Sequence, residues 1–236
     1  MKRIDLFADD VGCVEYVSHM GSDVTIVNAA RVSFGHHVSD LSDRDVKLIK
    51  YLIKNKHTST LEHNVITFRF KVPLFIRSQH HRHRTWSYNE ISRRYTNFNL
   101  EFYEPSRFRK QSSSNRQASS PEYINPIFPV AKGVTNLHYL ASKKVKSFHK
   151  EALDLYNNLV ESGICREQAR GVLPQNLYTE YYGTCNLNNL LKFIDLRAHE
   201  GAQWEIQQVA KACLKIVEQL FPITIRSYKE IKEKNQ

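Results

Sequence analysis

The chain has 236 residues, of which 41% are hydrophobic and 11% aromatic, a composition typical of a folded globular protein rather than a disordered segment. Lys and Arg outnumber Asp and Glu by 34 to 24, and the formal net charge of +10 favours anionic partners such as nucleotides, nucleic acid or acidic lipid. No apolar run is long enough for a signal peptide or a membrane span. The four cysteines lack CxxC spacing, which predicts reduced, buried thiols in a cytoplasmic protein.

The first third of the chain predicts two strands and three helices. CVEYVSHMGSD predicts a short strand closed by a turn, and TIVNAARVSF predicts a helix capped by Asp23 or Thr25. DLSDRDVKLIKYLIKNK is typical of a surface helix, because its apolar residues are three and four apart and its lysines face the other way. NVITFRFKV alternates like a strand that is buried on one face, and Pro73 can then begin a helix, PLFIRSQHHRHR.

The region after Glu104 changes character. Little periodicity and a run rich in Ser, Asn and Gln predict a long loop over about 105–135. A long helix is predicted from about Asn136 to Ser162, followed by Gly163 at the expected stop. The remaining segments predict a short helix (REQARGVL), a strand (LYTEYYGTC), a helix (NLNNLLKFIDL) and a last helix over 202–221. This order, without an internal repeat, favours one α+β domain over 1–236, with a mainly antiparallel sheet flanked by helices.

Residues 82–95, RHRTWSYNEISRRY, combine four arginines and one histidine with a single carboxylate. Guanidinium groups this close repel one another unless an anion lies among them, and their planar fork of donors suits phosphate. The interleaved hydroxyl and amide side chains can position hydrogen bonds, and the aromatic rings can face a planar ligand. The stretch therefore predicts a site for a phosphorylated ligand, with a solvated basic turn or a nucleic-acid patch as the alternative.

The histidines of this region invite a zinc interpretation. His80, His81 and His83 are nearly adjacent, but no Cys or acidic ligand lies near and the neighbouring arginines oppose a divalent cation. We therefore predict no metal site. His57 and His63 in HTSTLEH are equally consistent with ordinary capping and hydrogen bonding.

Other cations lie further along the chain. Arg166 and Arg170 are four residues apart on a predicted helix, and Arg197 lies at a helix end; each is also consistent with a surface salt bridge. Neither a GxGxxG nor a GxxxxGK[ST] phosphate loop occurs, and no cysteine lies in a polar cluster. Any chemistry would therefore rely on a cofactor and on cations already in position.

The spacing from Arg82-His83-Arg84 to Ser92 closely resembles the signature of the flavin-dependent thymidylate synthases. The resemblance extends in family order over nearly the whole chain, through AARVSF (29–34), HTSTLEH (57–63), LEFYEP (100–105), REQARGVLP (166–174), LYTEYYGTCN (177–186) and LRAHEGAQWEIQQ (196–208). It implies the thymidylate synthase-complementing protein fold and reductive methylation of dUMP to dTMP. In such a reaction 5,10-methylenetetrahydrofolate supplies the carbon, and FAD reduced by NADPH supplies the hydride. It also implies a homotetramer whose active sites are shared between subunits, without a membrane or nucleic-acid partner.

The resemblance also implies roles for individual residues. FAD would contact Ser59, Arg82, His83, Arg84, Glu90, Asn186, Asn188 and Lys192. The substrate dUMP would contact Gln79, Arg82, Glu90, Ser92, Arg93, Arg94, Arg197 and, from a neighbouring subunit, Arg170. The implied catalytic residues are Ser92 and Arg197, the latter at the uracil edge, where its charge favours the N3-deprotonated base. His57 matches a histidine on the folate and NADPH side.

The chain departs from the family pattern at several positions. Ser78 precedes Gln79 where Arg is common, and Arg93 replaces a common Gly. Asn188, Lys192 and Gly201 stand where some members have Arg, Asn or His. These departures bear on FAD binding more than on dUMP binding. Two alternatives stay open, a pyrimidine nucleotide hydroxymethylase on the same scaffold and a basic nucleic-acid-binding module without catalysis.

Overall fold

A computed structural model of the chain describes residues 2–129 and 138–234. The strands within these residues are β1 (Arg3–Asp5), β2 (Cys13–Met20), β3 (Val65–Pro73), β4 (Ser87–Glu90), β5 (Phe108–Gln111), β6 (Ser119–Ile124), β7 (Ile127–Pro129), β8 (His138–Leu140) and β9 (Tyr178–Asn186). The α-helices are α1 (Asp23–Arg31), α2 (Asp43–Lys54), α3 (Leu74–His80), α4 (Ala141–Glu161), α5 (Arg166–Ala169), α6 (Leu187–Arg197), α7 (Trp204–Leu220) and α8 (Pro222–Glu233). Short 3-10 turns cover Val32–Phe34, Thr58–Leu61 and Arg170–Val172.

A five-stranded sheet in the order β1-β2-β3-β9-β4 forms the centre of the fold, and every neighbouring pair is antiparallel. The alternation predicted for β3 is confirmed, because Ile66, Phe68 and Phe70 are fully buried while the residues between them are partly exposed. Side chains from α6, α7 and α8 join the same core. The predicted α+β class with an antiparallel sheet and flanking helices is confirmed.

The start of α1 and the end of the last predicted helix differ from prediction. The N-cap of α1 is Ser22, which forms a capping box with Thr25, so the prediction of Asp23 or Thr25 as the cap was wrong. The predicted last helix ends at Leu220, and α8 follows at once because Pro222 occupies its first turn, where a missing N–H costs nothing. Asp23 instead accepts hydrogen bonds from the backbone N–H groups of Ile223 and Thr224, both at 3.0 Å.

The segment predicted as a long loop over 105–135 contains regular structure. Strands β5 and β6 form an antiparallel hairpin, and β7 pairs with β8; residues 130–135 lie outside the described residues. Most side chains of these strands are exposed or only partly buried, so the sequence carries no alternation that would reveal them. The prediction of an unstructured loop was wrong over 108–111, 119–124 and 127–129.

The long helix is confirmed as α4, although its predicted start at Asn136 lies outside the described residues and β8 precedes Ala141. Its predicted apolar face is only partly buried, because Phe148 and Leu155 are 53% and 47% exposed. The side chains of α4 that are buried are Ala141, His149, Ala152 and Tyr156. This leaves an exposed apolar strip along the helix.

The four cysteines are all unpaired. Cys13, Cys185 and Cys213 are buried, and burial raises the pKa of the Cys13 thiol to about 11. Cys165 is exposed, which corrects the expectation that every thiol is buried. None of the described helices is both long enough and apolar enough to cross a bilayer.

Candidate active site

The RHR stretch lies in a turn between α3 and β4. Helix α3 ends at His80, earlier than predicted. The His80 ring is enclosed by aromatic side chains, and its Nδ1 lies 2.8 Å from the Tyr181 hydroxyl. Burial lowers the pKa of His80 well below its ordinary value, so the ring is neutral. The Tyr88 hydroxyl lies 2.9 and 3.1 Å from the carbonyl oxygens of His80 and His83, which share its one donated hydrogen. These contacts fix the turn and aim the side chains around it.

Beyond the far end of β4 lies a cavity of about 660 Å³, here called the arginine cavity, lined by Arg77, Glu90, Ser92, Arg93, Arg94, Glu167 and Arg170 among others. Glu90 accepts a 2.6 Å hydrogen bond from the Thr179 hydroxyl and pairs with Arg77 at 3.2 Å. Its charge is therefore engaged within the cavity wall. A volume of this size is within the range of small-molecule sites.

The three predicted arginines of this cavity have different surroundings. The Arg93 guanidinium donates to the backbone carbonyls of Phe98, Asn99 and Tyr178, and burial lowers its pKa. Arg94 and Arg170 are exposed, and neither makes an ion pair within the described parts of the chain. Arg93 therefore holds the 98–99 turn in place, whereas Arg94 and Arg170 are cations available to an anion.

His83 and Arg197, here called the Arg197 cluster, are a second group of predicted site residues, and Gln79 lies nearby in sequence, on helix α3 just before the RHR turn. Arg197 Nε donates a 3.1 Å hydrogen bond to His83 Nε2. Burial, reinforced by the nearby charge of Arg197, lowers the pKa of His83 to about 4, so the ring is neutral and its Nε2 can accept. Gln79 donates to the side chain of Gln203, the residue just before α7. Arg82 and Arg84 flank His83 and are exposed.

Gln79, His83 and Arg197 are not among the residues that line the arginine cavity. Arg77 lines the cavity and Gln79 faces α7, and residues two apart on a helix point about 200° apart. The four residues of β4 add roughly 13 Å along the sheet edge between the RHR turn and Ser92. Arg170 of the same chain lines the cavity together with Ser92 and Arg94, so the expectation that a neighbouring subunit brings Arg170 to them is corrected.

The remaining predicted residues lie near the N-terminus of α6. Asn186 is the N-cap of α6 and accepts a 2.9 Å hydrogen bond from the Asn189 backbone N–H. Asn188 is only 3% exposed and donates to Glu62 at 2.7 Å. Lys192 is exposed and lines a cavity of about 630 Å³ with Asn188 and Thr58, among others. Ser59 and His57 belong to the adjoining 3-10 turn, where the His57 ring meets Tyr51 edge-on at 5.7 Å.

Sequence reasoning missed several side chains that support these groups. Arg77, Thr179, Gln203 and Glu205 received no role, although Gln203 and Glu205 lie inside the family-like segment 196–208. An acidic residue two places after a glutamine within this segment is a signal that could have indicated them. Among residues 2–129 and 138–234, no group of three or more His, Cys, Asp or Glu side chains could hold a metal ion.

Comparison with known proteins shows which protein family the chain belongs to. The sequence profile described as "Thymidylate synthase complementing protein" matches residues 15–223, and the chain belongs to this family. A relative named flavin-dependent thymidylate synthase, from Thermus thermophilus, is 42% identical over 221 residues, which are 94% of this chain and 77% of the relative. One of the same name from Thermotoga neapolitana is 39% identical over 221 residues, 93% of this chain and 91% of the relative. The family predicted from the RHR signature is thereby confirmed.

Solved structures agree with the family assignment. The UMP/dUMP methylase PolB from Streptomyces cacaoi, in a crystal structure with 5-Br dUMP, matches with a TM-score of 0.78 and 30% identity, covering 96% of this chain and 97% of that chain. A structure of PolB with 5-Br UMP matches with a TM-score of 0.74 and 31% identity, covering 92% and 93%.

Proposed function

We propose that this protein methylates dUMP reductively to dTMP, with 5,10-methylenetetrahydrofolate as carbon donor and FAD reduced by NADPH as hydride source. The observation that carries the proposal is the arginine cavity. Arg94 and Arg170 lie there beside the Ser92 hydroxyl, without ion pairs in the described chain, in a cavity of about 660 Å³. Two guanidinium forks and a hydroxyl suit the phosphate of a nucleotide. The names of the relatives and the 5-Br dUMP bound to PolB support dUMP as that nucleotide.

The Arg197 cluster suits the base of the nucleotide. A fixed guanidinium beside the uracil edge stabilises negative charge that develops on the ring, and preorganised charges of this kind commonly contribute about a hundredfold to a thousandfold in turnover. The neutral His83 ring accepts from Arg197 Nε, which leaves the other guanidinium nitrogens to face a ligand. We assign Arg197 the activation of the base and Ser92 a hydrogen bond to the nucleotide.

The cations of the chain are compatible with FAD. Arg82, Arg84 and Lys192 are exposed and make no ion pair in the described residues, so they can meet a diphosphate. The N-terminus of α6 adds a favourable position for negative charge. When bound, the flavin would supply the hydride; the protein residues bind, orient and exclude water. Asn188 is buried and donates to Glu62, so a contact with the cofactor would require its side chain to become more accessible.

A shared site and a homotetramer complete the proposal. Arg197 does not line the cavity that contains Arg94, so we assign the two arginines that meet one nucleotide to two different chains. The exposed apolar residues Phe148 and Leu155 on α4 support burial against another subunit. We place the enzyme in the cytoplasm, where its four unpaired cysteines would stay reduced.

The test is a titration of the purified protein with FAD, followed by product analysis. Saturable FAD binding is expected, and dUMP, methylenetetrahydrofolate and NADPH together should yield dTMP, whereas omission of any one should abolish it. Absence of saturable FAD binding would contradict the proposed function. Mass analysis of the product separates methylated from hydroxymethylated nucleotide. Binding of DNA or RNA with steep salt dependence, by a protein that binds no flavin, would favour the nucleic-acid-binding alternative instead.

A further inference from the structure

A buried carboxylate lies in the first turn of α7, two residues after Gln203. Glu205 is only 4% exposed. Its Oε1 accepts hydrogen bonds from the Tyr103 hydroxyl, at 3.1 Å, and from Arg109 Nη2. Its Oε2 accepts from Gln203 Nε2 at 3.0 Å. A buried carboxylate is costly unless its oxygens are satisfied, and here both oxygens have donors.

The contact with Gln203 leads on to Gln79, which the proposed function takes as a contact of dUMP. Gln203 Oε1 accepts a hydrogen bond from Gln79 Nε2. The chain of contacts therefore runs from Arg109 through Glu205 and Gln203 to Gln79. It joins strand β5 of the hairpin to helix α3, two elements that lie well apart along the sequence.

The donor-to-acceptor direction of each hydrogen bond in this series is fixed by chemistry. An ionised carboxylate only accepts hydrogen bonds, so the NH₂ group of Gln203 must face Glu205. The carbonyl oxygen of Gln203 must then face Gln79, which must donate a hydrogen bond from its own NH₂ group. Amide oxygen and nitrogen cannot be told apart by shape, but a charged acceptor at one end of the chain decides both orientations. The Oε1 atom of Gln79 is left free, together with one N–H.

We infer that Glu205 is a positioning residue, which acts through Gln203 to fix the side-chain amide of Gln79 so that its oxygen is presented to the base of the nucleotide. The inference rests on the proposed function, because it takes Gln79 as a contact of dUMP. Uracil enters the site in its neutral form, before Arg197 favours loss of the N3 proton. The neutral form offers an N3–H donor between two carbonyl acceptors, which matches an amide that presents an oxygen and one N–H. Cytosine offers an N3 acceptor beside an amino donor, which would require the opposite amide orientation.

The substitution Glu205→Gln reverses the direction of these hydrogen bonds rather than only weakening them. Arg109 can only donate, so it holds the oxygen of the new amide, and the new NH₂ group faces Gln203. The side-chain amide of Gln203, and then that of Gln79, exchanges the positions of its oxygen and its NH₂ group. Gln79 then presents its NH₂ group to the base. Tyr103→Phe is the matched control, because it removes a hydrogen bond to the same carboxylate and leaves the acceptor in place.

The experiment measures dissociation constants of dUMP and dCMP for the FAD-loaded enzyme, with dUMP turnover and flavin reduction by NADPH alongside. Glu205→Gln should lower the preference for dUMP over dCMP by about tenfold or more, since an unmatched buried hydrogen-bonding group costs about that much. The KM for dUMP should rise, flavin reduction should be unchanged, and Tyr103→Phe should keep the wild-type preference.

Three outcomes decide the matter. A wild-type enzyme that forms no dTMP refutes the proposed function itself. An active wild type whose Glu205→Gln variant keeps the wild-type preference, or shifts only as far as Tyr103→Phe, refutes the positioning role alone. If Glu205→Gln does not fold, Gln203→Leu takes its place; it frees the Gln79 amide to adopt both orientations, so the preference should fall without reversing. An unchanged preference in Gln203→Leu likewise overturns the inference.

Discussion

Subunit complementation gives the sharpest test of how the site is divided. Arg94 lines the arginine cavity, and Arg197 lies in the separate cluster with His83. Arg197→Ala should retain about 0.1–1% of wild-type turnover, because it removes one preorganised charge beside the base, and Arg94→Ala should be nearly inactive at dUMP concentrations well below its raised KM, because it loses a phosphate contact. The two lesions lie in different parts of the proposed shared site.

The expected recovery of activity follows from the fraction of active sites that contain neither substitution. If each site takes its cavity from one chain and its Arg197 cluster from another, random mixing of equal amounts leaves about 25% of sites free of both lesions. The mixture should therefore regain about 25% of wild-type turnover. Arg94→Ala mixed with Arg170→Ala should regain nothing, because both residues line the same cavity of one chain and every site inherits one lesion or the other.

The assay is dTMP formation after the two variants have been mixed under conditions that permit subunit exchange. Differently tagged chains, purified through one tag and examined for the other, establish that exchange has taken place. Exchange without recovery for Arg94→Ala with Arg197→Ala would refute the division of the site between chains. Recovery for Arg94→Ala with Arg170→Ala would refute the common cavity.

Two further predictions concern stability. Asp23→Ala removes a buried acceptor of two backbone N–H groups and of the Thr224 hydroxyl at the start of α8, and should lower the free energy of unfolding by about 2–4 kcal/mol in urea titrations. The exposed Asp40, whose partner is the Ser39 hydroxyl, is the control, and equal losses for Asp40→Ala would contradict the reasoning. His83 has a folded pKa of about 4, below the unfolded value of about 6.5, so the unfolded chain binds the extra proton and stability falls as pH drops from about 6.5 towards 4. His83→Gln should flatten the melting temperature across this range relative to wild type, and an identical pH profile would contradict the assignment.

The sequence by itself determined the elements whose burial is periodic. Strand β3 shows a clean alternation because one face lies against the core, and α2 shows its apolar residues at helical spacing because Ile49 and Leu52 are buried. The RHR signature and its spacing to Ser92 identified the family and the chain segments that carry the candidate site. These features depend on neighbours close in sequence or on a matched motif.

Tertiary structure decided which of the candidate cations are free. Arg93 and Arg94 are adjacent in sequence, yet Arg93 donates to carbonyls that include Tyr178, 85 residues away, while Arg94 makes no ion pair in the described chain. Arg170 joins Ser92 only because the turn after α5 packs beside the end of β4. No local pattern encodes these choices, since each depends on a partner brought near by folding.

Dependence on partners that are distant in sequence also explains which structural features the sequence did not predict. The hairpin of β5 and β6 is held by hydrogen bonds between strands whose side chains are largely exposed, so no periodic burial marks it. Glu205 looks like an ordinary acidic residue in the first turn of a helix, where negative charge is common. Its contacts with Tyr103 and Arg109 span 102 and 96 residues. Only the folded chain brings these donors to one carboxylate, because hydrogen bonding depends on distance in space rather than on separation along the sequence.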